Sequence, residues 1–299
     1  MGHEREGITF RVMGKRKLPY EDNPRSIKYY VKRYLHDHRG QYQDKVVVDF
    51  PAGNGITTRI LQEVGAKPIA LDLFPEYFTL EGLTCQRANI EEGLPLADGQ
   101  ADALICQEGI EHFADQLAAL REFNRVLKAG GTLLITTPNY SNLTSRLSYA
   151  LAESERYKSY MAPNELDSVW MAQQDLTDGI YFGHIFLLGM QKLRVLARLA
   201  GFKVHAWYPT KTRRSNWLLL PFWYPFIYLV NKMLYRKNMR RNDRYDEATK
   251  RAVYGEQFRM ATNRTLLTDS HLMVTFEKVQ EVSEVSQSLR GKQAEFGVT

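Results

Sequence analysis

The sequence predicts an α/β protein built on a doubly wound, seven-stranded sheet. Seven short apolar runs are spaced along the chain, and most of them alternate with stretches of helical periodicity. The runs are nearly continuous in apolar residues, which is typical of parallel strands covered on both faces. With 299 residues, of which 44% are hydrophobic, the chain is long enough to bury such a sheet.

The first predicted elements are a helix, a strand, a glycine-rich turn and a second helix. Asn23-Pro24 is typical of a helix start, and the apolar spacing after it predicts one helix ending near His38. The first strand, residues 45–50, precedes the turn 51–55, and a helical stripe follows over 56–64. This order predicts a tight connection at which a ligand can approach the backbone.

The later elements complete the sheet. Helices are predicted over 113–127 and 193–201, and residues 139–188, with weaker periodicity, are predicted to form a helical cap over the crevice. The other six predicted strands cover 68–72, 83–86, 101–107, 131–137, 202–207 and 271–276. A long insertion therefore separates the last two strands, and its length is well beyond that of an ordinary loop.

Four parts of the chain are expected. They are an N-terminal helical extension (1–44), a main domain (45–208 with 269–278), an aromatic and basic insertion (209–268) and a flexible polar tail (279–299). No export or lipid signal is expected at the N-terminus. Cys85 and Cys106 have neither a CxxC partner nor a nearby histidine pair, so no disulfide or zinc site is expected and a reducing cytoplasm fits best.

The turn after the first strand carries the most informative motif. It reads Asp49-Phe-Pro-Ala-Gly53-Asn-Gly55. This resembles the first motif of class I S-adenosylmethionine-dependent methyltransferases, usually Asp/Glu-x-Gly-x-Gly-x-Gly, with Pro51 in place of the first glycine. Glycines allow positive φ and close approach of a ligand to the backbone. The alternative is a tight strand-to-helix turn that binds no ligand.

Acidic and polar residues after the next strands strengthen the resemblance. Asp72 ends the second strand, where a carboxylate can accept hydrogen bonds from both ribose hydroxyls, although this placement would also suit NAD. The stretches 88–96, 107–113 and 125–139 resemble the methyltransferase pattern and argue against a dehydrogenase. Asn89 departs from the Asp that is common in the family, but its carbonyl can still accept from an adenine amine.

The resemblance covers 45–139 well and 183–207 more weakly. It implies a Rossmann-like fold with S-adenosyl-L-methionine as cofactor and a small-molecule or lipid-linked substrate. The expected cofactor-binding residues, which lie at or after the predicted strand ends, are Asp49, Pro51, Ala52, Gly53, Gly55, Asp72, Leu73, Asn89, Ile90 and Gln107.

Two histidines are the candidate catalytic residues. Methyl transfer depends mainly on orientation, and a neutral histidine can accept the proton of a hydroxyl acceptor. His112 follows the fourth strand, and His184 precedes a helix. Alternatively, His112 only fixes its loop and His184 only packs. No metal site is expected, because no paired carboxylates with metal spacing are seen, and the hydrolase and kinase loops are missing too.

The insertion predicts a second contact surface. Within a chain of formal net charge +6, residues 203–264 hold fourteen Lys and Arg against four Asp and Glu. The run 217–230 is free of charge, too short for the ~20 residues that span a bilayer, and interrupted as a straight helix by Pro221 and Pro225. Its aromatics and flanking cations favour peripheral membrane contact through 211–241. A hairpin packed on the body or in a dimer is the alternative.

The expected function is S-adenosylmethionine-dependent O-methylation of a small or lipid-linked, saccharide-type acceptor at the cytoplasmic face of the membrane. The overall pattern is similar to bacterial methyltransferases of surface-polysaccharide or lipid-linked biosynthesis. A non-catalytic binding module with the same fold is one alternative, and an RNA methyltransferase is another. Nucleic acid is disfavoured because the aromatics form one apolar block instead of alternating with basic residues. The oligomeric state is left open.

Overall fold

The structure, a computed structural model, describes residues 18–154, 162–164, 169–171, 180–243 and 245–290. Its strands are β1 (Val46–Asp49), β2 (Lys67–Asp72), β3 (Gln86–Arg87), β4 (Ala101–Gln107), β5 (Leu127–Pro138), β6 (Val169–Met171), β7 (Ile180–Phe182), β8 (Phe202–Trp207) and β9 (His271–Lys278). Its helices are α1 (Ile27–Asp37), α2 (Arg39–Tyr42), α3 (Ile56–Glu63), α4 (Gln116–Val126), α5 (Leu143–Ala152), α6 (Met190–Leu199), α7 (Arg214–Arg241), α8 (Glu247–Ala261), α9 (Arg264–Thr268) and α10 (Val282–Arg290).

Seven strands form one sheet in the order β3-β2-β1-β4-β5-β9-β8. The first five are parallel to one another, whereas β9 is antiparallel to both of its neighbours. The insertion joins β8 to β9 and returns the chain beside β8 in the opposite direction. β9 therefore runs antiparallel to β8. The predicted doubly wound, Rossmann-like α/β sheet is confirmed, and the sheet is mixed. β6 and β7 pair separately as a short antiparallel hairpin.

Helices cover both faces of the sheet, as the continuous apolar runs predict. Along β4, Leu104 and Cys106 belong to a cluster with α4 and α6, while Ala103 and Ile105 belong to a cluster with α1 and α3. Successive residues of a strand point to opposite faces, so each apolar neighbour pair supplies both layers. The carboxyl ends of the parallel strands are thereby held in fixed relative positions.

Two helices begin later than the sequence predicts. α1 begins at Ile27 and is capped by the Ser26 side chain, which accepts from the Lys28 amide at 3.2 Å, so the start predicted at Asn23-Pro24 is wrong. α4 begins at Gln116, and the Asp115 carboxylate accepts from the Ala118 amide at 2.8 Å. In both cases a side chain that can accept the free amides of the first turn sets the boundary.

The insertion between β8 and β9 is helical. α7 is a single helix of 28 residues that contains Pro221 and Pro225, so the predicted interruption is wrong. Each internal proline costs ~3 kcal/mol in a helix, and packing against α5, α8 and α9 offsets this cost. Within the described residues, none of the helices combines the length and apolar character that crossing a bilayer requires.

Two predicted regions are only partly described. Of the helical cap predicted over 139–188, the structure describes α5 and the β6–β7 hairpin, and residues 155–161, 165–168 and 172–179 lie outside the described residues. In the predicted flexible tail, residues 282–290 form α10, and Val285 is buried. That apolar contact gives the polar segment a helix that composition alone does not predict.

Candidate active site

The glycine-rich turn joins β1 to α3 at the carboxyl edge of the sheet. Gly53 and Gly55 have φ of 53° and 85°, in the left-handed region that favours glycine. A Cβ on Gly55 would lie 2.9 Å from both Leu80 Cβ and the Phe78 ring, whereas a Cβ on Gly53 would have no neighbour within 4 Å. Gly55 is therefore required by packing, and Gly53 leaves open space beside the turn.

Pro51 fills the space that Gly109 leaves free. A Cβ on Gly109 would lie 2.8 Å from Pro51 Cγ, and closer still to Cδ. Phe50 stacks on Phe113 at a centroid distance of 5.9 Å, and the Ala52 amide donates to Leu71 O at 2.9 Å. Gly109, just after the end of β4, thus makes room for the proline that replaces the first glycine of the motif. The hydrogen bond from Ala52 joins the turn to β2.

Asp49 lies buried beneath the turn. Its Oδ2 accepts from the Thr58 hydroxyl at 2.5 Å, while among the described residues no donor reaches Oδ1. Burial raises the pKa of Asp49 to about 7, and the Thr58 hydrogen bond and the Lys28 charge only partly oppose that rise. The site thus holds a buried acceptor suited to a cationic group.

Asp72, at the end of β2, faces the same turn. Its Oδ2 accepts from the Gly53 amide at 2.7 Å and its Oδ1 from the Phe74 amide at 2.8 Å. Each carboxylate oxygen keeps a second lone pair, so both can accept a further hydrogen bond. The next residue, Leu73, is half-buried and accepts from Arg87 Nη1 at 2.7 Å.

Asn89 and Ile90 follow β3 on the same side of the sheet. The Ala88 amide donates to Asp72 O at 2.8 Å, which keeps this segment beside the end of β2. Asn89 Oδ1 accepts from the Glu91 amide at 3.1 Å, and Ile90 packs on the core cluster. Asn89 therefore holds its own turn together, a local role that the sequence does not indicate.

Gln107 ends β4 opposite the turn. Its Oε1 accepts from the Thr57 hydroxyl at 2.6 Å, but within the described part of the chain its buried Nε2 donates to no group. Gln107 Nε2 is thus a donor held in place by the Thr57 bond, and Asp49 Oδ1 is an acceptor held in place by the Thr58 bond. Two buried polar atoms at adjacent strand ends therefore lack hydrogen-bond partners among the described residues.

His112 and His184 lie together although 72 positions separate them in sequence. Their ring centroids are 5.2 Å apart. Gln116 Nε2 donates to Ile110 O at 2.9 Å and to Phe186 O at 2.6 Å, which ties the two segments to each other. Each histidine thus stands next to the other at the carboxyl end of β4.

Glu111 is a buried acid beside this histidine pair. Its Oε2 accepts from the Thr137 hydroxyl at 2.9 Å, and Oε1 has no hydrogen-bond partner among the described residues. Burial and the neighbouring Glu108 carboxylate raise the pKa of Glu111 well above its ordinary value. Sequence reasoning placed Glu111 in a family motif without giving it a role.

Three further polar residues of the site are not predicted from the sequence. Thr57 and Thr58 lie inside α3, where hydroxyl side chains give no signal of a buried partner, and Lys28 lies on the distant α1. Lys28 Nζ donates to Asn54 Oδ1 at 3.2 Å, over the turn. Burial lowers the pKa of Lys28, and the Asp49 carboxylate opposes that shift.

Comparison with known proteins gives three findings. Residues 48–135 match the family model described as a methyltransferase domain. Ubiquinone biosynthesis O-methyltransferases of Xanthomonas campestris pv. campestris (strain B100) and Xanthomonas oryzae pv. oryzae (strain PXO99A) are each 29% identical over 148 residues. These alignments cover 44% of this chain and 62% of the relatives, so the chain spans less than two thirds of their length.

The third finding is structural. A solved structure of a candidate methyltransferase from Bacillus halodurans C-125 has a TM-score of 0.50 and 13% identity, and the superposition covers 83% of this chain and 99% of that chain. At this identity the likeness shows the fold alone.

Proposed function

We propose that the chain carries a class I, S-adenosylmethionine-dependent methyltransferase domain and that, from this premise, the protein methylates a hydroxyl of a small or lipid-linked, saccharide-type acceptor. The cofactor would lie at the carboxyl ends of β1, β2 and β4. There it supplies an activated methyl group on a sulfonium. The protein's part is to bind, orient and exclude water.

The observation that carries the proposal is the pair of unused buried atoms beside the open turn. Asp49 Oδ1 is an acceptor suited to the ammonium of the methionine part, and Gln107 Nε2 is a donor suited to an anionic or carbonyl group. The carboxylate of Asp72 would accept from the ribose hydroxyls. The open space at Gly53 leaves room for the cofactor to approach the backbone.

The acceptor side of the site suits a hydroxyl. The bound cofactor would supply its methyl group to a lone pair of the acceptor oxygen, keep the electron pair of the broken C–S bond on sulfur and leave as S-adenosylhomocysteine. The hydroxyl proton must pass to a base, and His112 and His184, which lie together at the end of β4, are the candidates for this role. The names of the curated relatives, which are O-methyltransferases, support the same atom.

Calorimetry with S-adenosylmethionine and S-adenosylhomocysteine tests the cofactor site. We expect both to bind the full chain, and Asp72→Asn to weaken them at least ~10-fold, because a buried charged acceptor becomes a neutral amide. Asp98→Asn is the matched control, since its side chain is 82% exposed. Absence of binding by the unaltered chain would overturn the proposal.

A methyl-transfer assay then separates the functional alternatives. Labelled cofactor is supplied with phenolic, saccharide and lipid-linked hydroxyl acceptors, and with RNA. Transfer to a hydroxyl acceptor supports the proposal. Cofactor binding without transfer to any of these substrates favours the non-catalytic module, and transfer to RNA, with affinity falling steeply in salt, favours the RNA enzyme.

The surface of α7 supports action at a membrane face. Apolar side chains at helical spacing form an exposed stripe, which we call the α7 stripe, and Leu218 and Phe222 on it are 73% and 75% exposed. Its other members are Phe226, Leu229 and Met233. The stripe has Arg213 and Arg214 before it and four cations after it, Arg236, Lys237, Arg240 and Arg241. Aromatics at headgroup depth with flanking cations suit an anionic bilayer surface, each cation contributing ~1 kcal/mol.

Vesicle flotation tests the membrane contact. We expect the full chain to float with vesicles containing phosphatidylglycerol at low salt and not with pure phosphatidylcholine vesicles. Phe222→Ser with Phe226→Ser should abolish flotation, while Leu151→Ser, an equally exposed apolar residue on α5, should not. Failure of the unaltered chain to float, or its self-association through the stripe into a stable dimer, would contradict the membrane assignment.

A further inference from the structure

A second constellation lies at the carboxyl end of β4. Glu111, His112 and His184 each offer one ligand atom, and these atoms all lie within 4.8 Å of one another. Metal bonds of ~2.0–2.2 Å place tetrahedral ligand atoms ~3.4 Å apart, so side-chain rotations of about an ångström would close the site. Two imidazoles and one carboxylate are a ligand set that divalent transition metals use.

The carboxylate of Glu111 is hydrogen-bonded through only one of its two oxygens among the described residues. Glu111 is fully buried, its Oε2 is fixed by the Thr137 hydroxyl, and Oε1 has no partner within the described residues. An unpartnered buried carboxylate oxygen is costly unless a proton, a donor or a cation satisfies it. The ring of the adjacent His112 and the ring of His184 are the groups that complete a ligand set around it.

Hydrogen bonds link the segments that carry the three residues. Glu111 and His112 lie on the short helical turn Ile110–His112 directly after β4. The side chain of Gln116 binds backbone oxygens on both sides, in that turn and in the segment that carries His184. Thr137 belongs to β5. Outer hydrogen bonds of this kind orient metal ligands and strengthen binding.

We propose that Glu111, His112 and His184 bind one divalent transition-metal cation, Zn2+ by the chemistry of the ligands, and that the cation holds the acceptor hydroxyl. The metal role rests on the proposed hydroxyl methylation. Three protein ligands leave a fourth position open for the acceptor oxygen. As metal ligands, the two imidazoles would act on the hydroxyl through the cation and would not accept its proton themselves. The bound hydroxyl loses its proton more readily, the proton passes to water, and the oxygen keeps the electron pair that forms the new C–O bond.

The location of the group supports this assignment. Gln107, one of the residues that we assign to the cofactor, ends β4, and Glu111 and His112 lie on the short helical turn that follows it. A cation held there would lie at the same strand end as the proposed cofactor site.

Cobalt titration of the full chain tests the site without any assay of activity. After dialysis against chelator, the protein is titrated with Co2+, and its visible absorption and the displacement of Co2+ by Zn2+ are followed. We expect one Co2+ per chain. Glu111→Gln, His112→Ala and His184→Ala should each weaken binding at least ~10-fold. His205→Ala, an exposed histidine on β8, is the matched control and should titrate like the unaltered chain.

Calorimetry with S-adenosylhomocysteine on the same samples keeps the two proposals apart. If the cofactor product binds but no Co2+ site is found, or if His184→Ala and His112→Ala bind Co2+ as tightly as the unaltered chain, the metal proposal is overturned and the proposed function stands. If Co2+ binds as expected but the cofactor product does not, the metal site stands and the proposed function fails.

Discussion

At the scale of single residues, two carboxylates at adjacent strand ends differ in what they still have to bind. Both oxygens of Asp72 accept backbone amides, whereas one oxygen of the buried Asp49 has no donor among the described residues. Burial without full hydrogen bonding disfavours the charged form of Asp49. We therefore expect occupancy of the proposed cofactor site to change the protonation state of this acid.

The raised pKa of Asp49 predicts a pH dependence of stability. The carboxyl has a pKa of about 7 in the folded protein against 3.8 in its ordinary state, so the folded protein holds the proton more tightly than the unfolded chain. The contribution of Asp49 to the free energy of unfolding should therefore fall as pH rises from about 4 to about 7, by about 4 kcal/mol at most, and then level off. Urea unfolding across this range measures it.

Asp49→Asn is the control for this pH dependence. It should lessen the fall between about pH 4 and about pH 7 by the share that Asp49 contributes, because the amide does not ionise, while Glu111, whose pKa is also raised, keeps its own share. The unaltered protein should also release a proton on binding S-adenosylhomocysteine below about pH 7, since a cationic group favours the ionised acid. An unchanged slope in the variant would show that another group is responsible.

The two glycines of the turn predict different mutant behaviour. Gly53→Ala places a Cβ in open space at positive φ, so it should cost ~1–2 kcal/mol in stability while lowering cofactor affinity. Gly55→Ala adds a clash with Leu80 and Phe78, so it should cost ~2–5 kcal/mol. Thermal unfolding and calorimetry measure the pair. Gly40→Ala, with open space and an ordinary φ, should be nearly neutral; equal losses for all three would contradict this account.

Much of the site can be predicted from where strands end. Asp72 and Gln107 converge on the turn because the carboxyl ends of parallel strands share one edge. The hydroxyls of Thr57 and Thr58 cannot be predicted in this way, because their partners lie across the turn on β4 and β1. The position of Lys28 cannot be predicted from sequence patterns either, because only the packing of α1 brings this residue to the turn.

At the scale of elements, α7 shows how a helix survives two internal prolines. Its first turn is anchored by the buried Asn216, whose Oδ1 accepts from the Thr144 amide at 2.7 Å and whose Nδ2 donates to Thr268 O at 2.9 Å. Further along, Tyr228 and Tyr235 pack on Phe258 of α8. The effect of proline on a helix is predicted from the local hydrogen bonds that it removes, and this prediction does not include tertiary contacts. The predicted interruption is wrong for that reason.

Removing this anchor should loosen the insertion. Asn216→Ala leaves the Thr144 amide and Thr268 O buried without their partner, which should cost ~2–4 kcal/mol. Urea unfolding gives the free energy, and limited proteolysis under native conditions should cut within 209–268 sooner. Asn231→Ala, which loses only a local bond to Ile227 O, is the control. Equal protease resistance of the two variants would contradict the anchor role.

At the scale of the whole molecule, the two ends of the parallel strands differ in the contacts that they carry. The proposed site lies at the carboxyl ends of the parallel strands. At the opposite edge the buried Lys278 ends β9, and its Nζ donates to Asn124 O and Leu127 O, both at 2.8 Å. This ammonium joins the last strand to α4 and β5. The sheet thus separates the proposed site at one edge from closure of the fold at the other.

Lys278→Met should therefore reduce stability without changing the site. Two buried carbonyls lose a charged donor, so the free energy of unfolding should fall by ~2–4 kcal/mol, while the affinity for S-adenosylhomocysteine stays unchanged. Chemical denaturation and calorimetry measure the two quantities. Lys203→Met, an exposed lysine on β8, should leave both unchanged. A loss of affinity in the folded Lys278 variant would show that the two edges are coupled.

The contact between Pro51 and Gly109 has a consequence for how this protein can be altered. A side chain at 109 has no room while the ring stands at 51, and glycine at 51 would leave a gap under 109. The two positions are therefore epistatic. Each is intolerant alone, and a compensated double exchange such as Pro51→Gly with Gly109→Ala should recover most of the loss, so a mutant library of this turn must randomise both together.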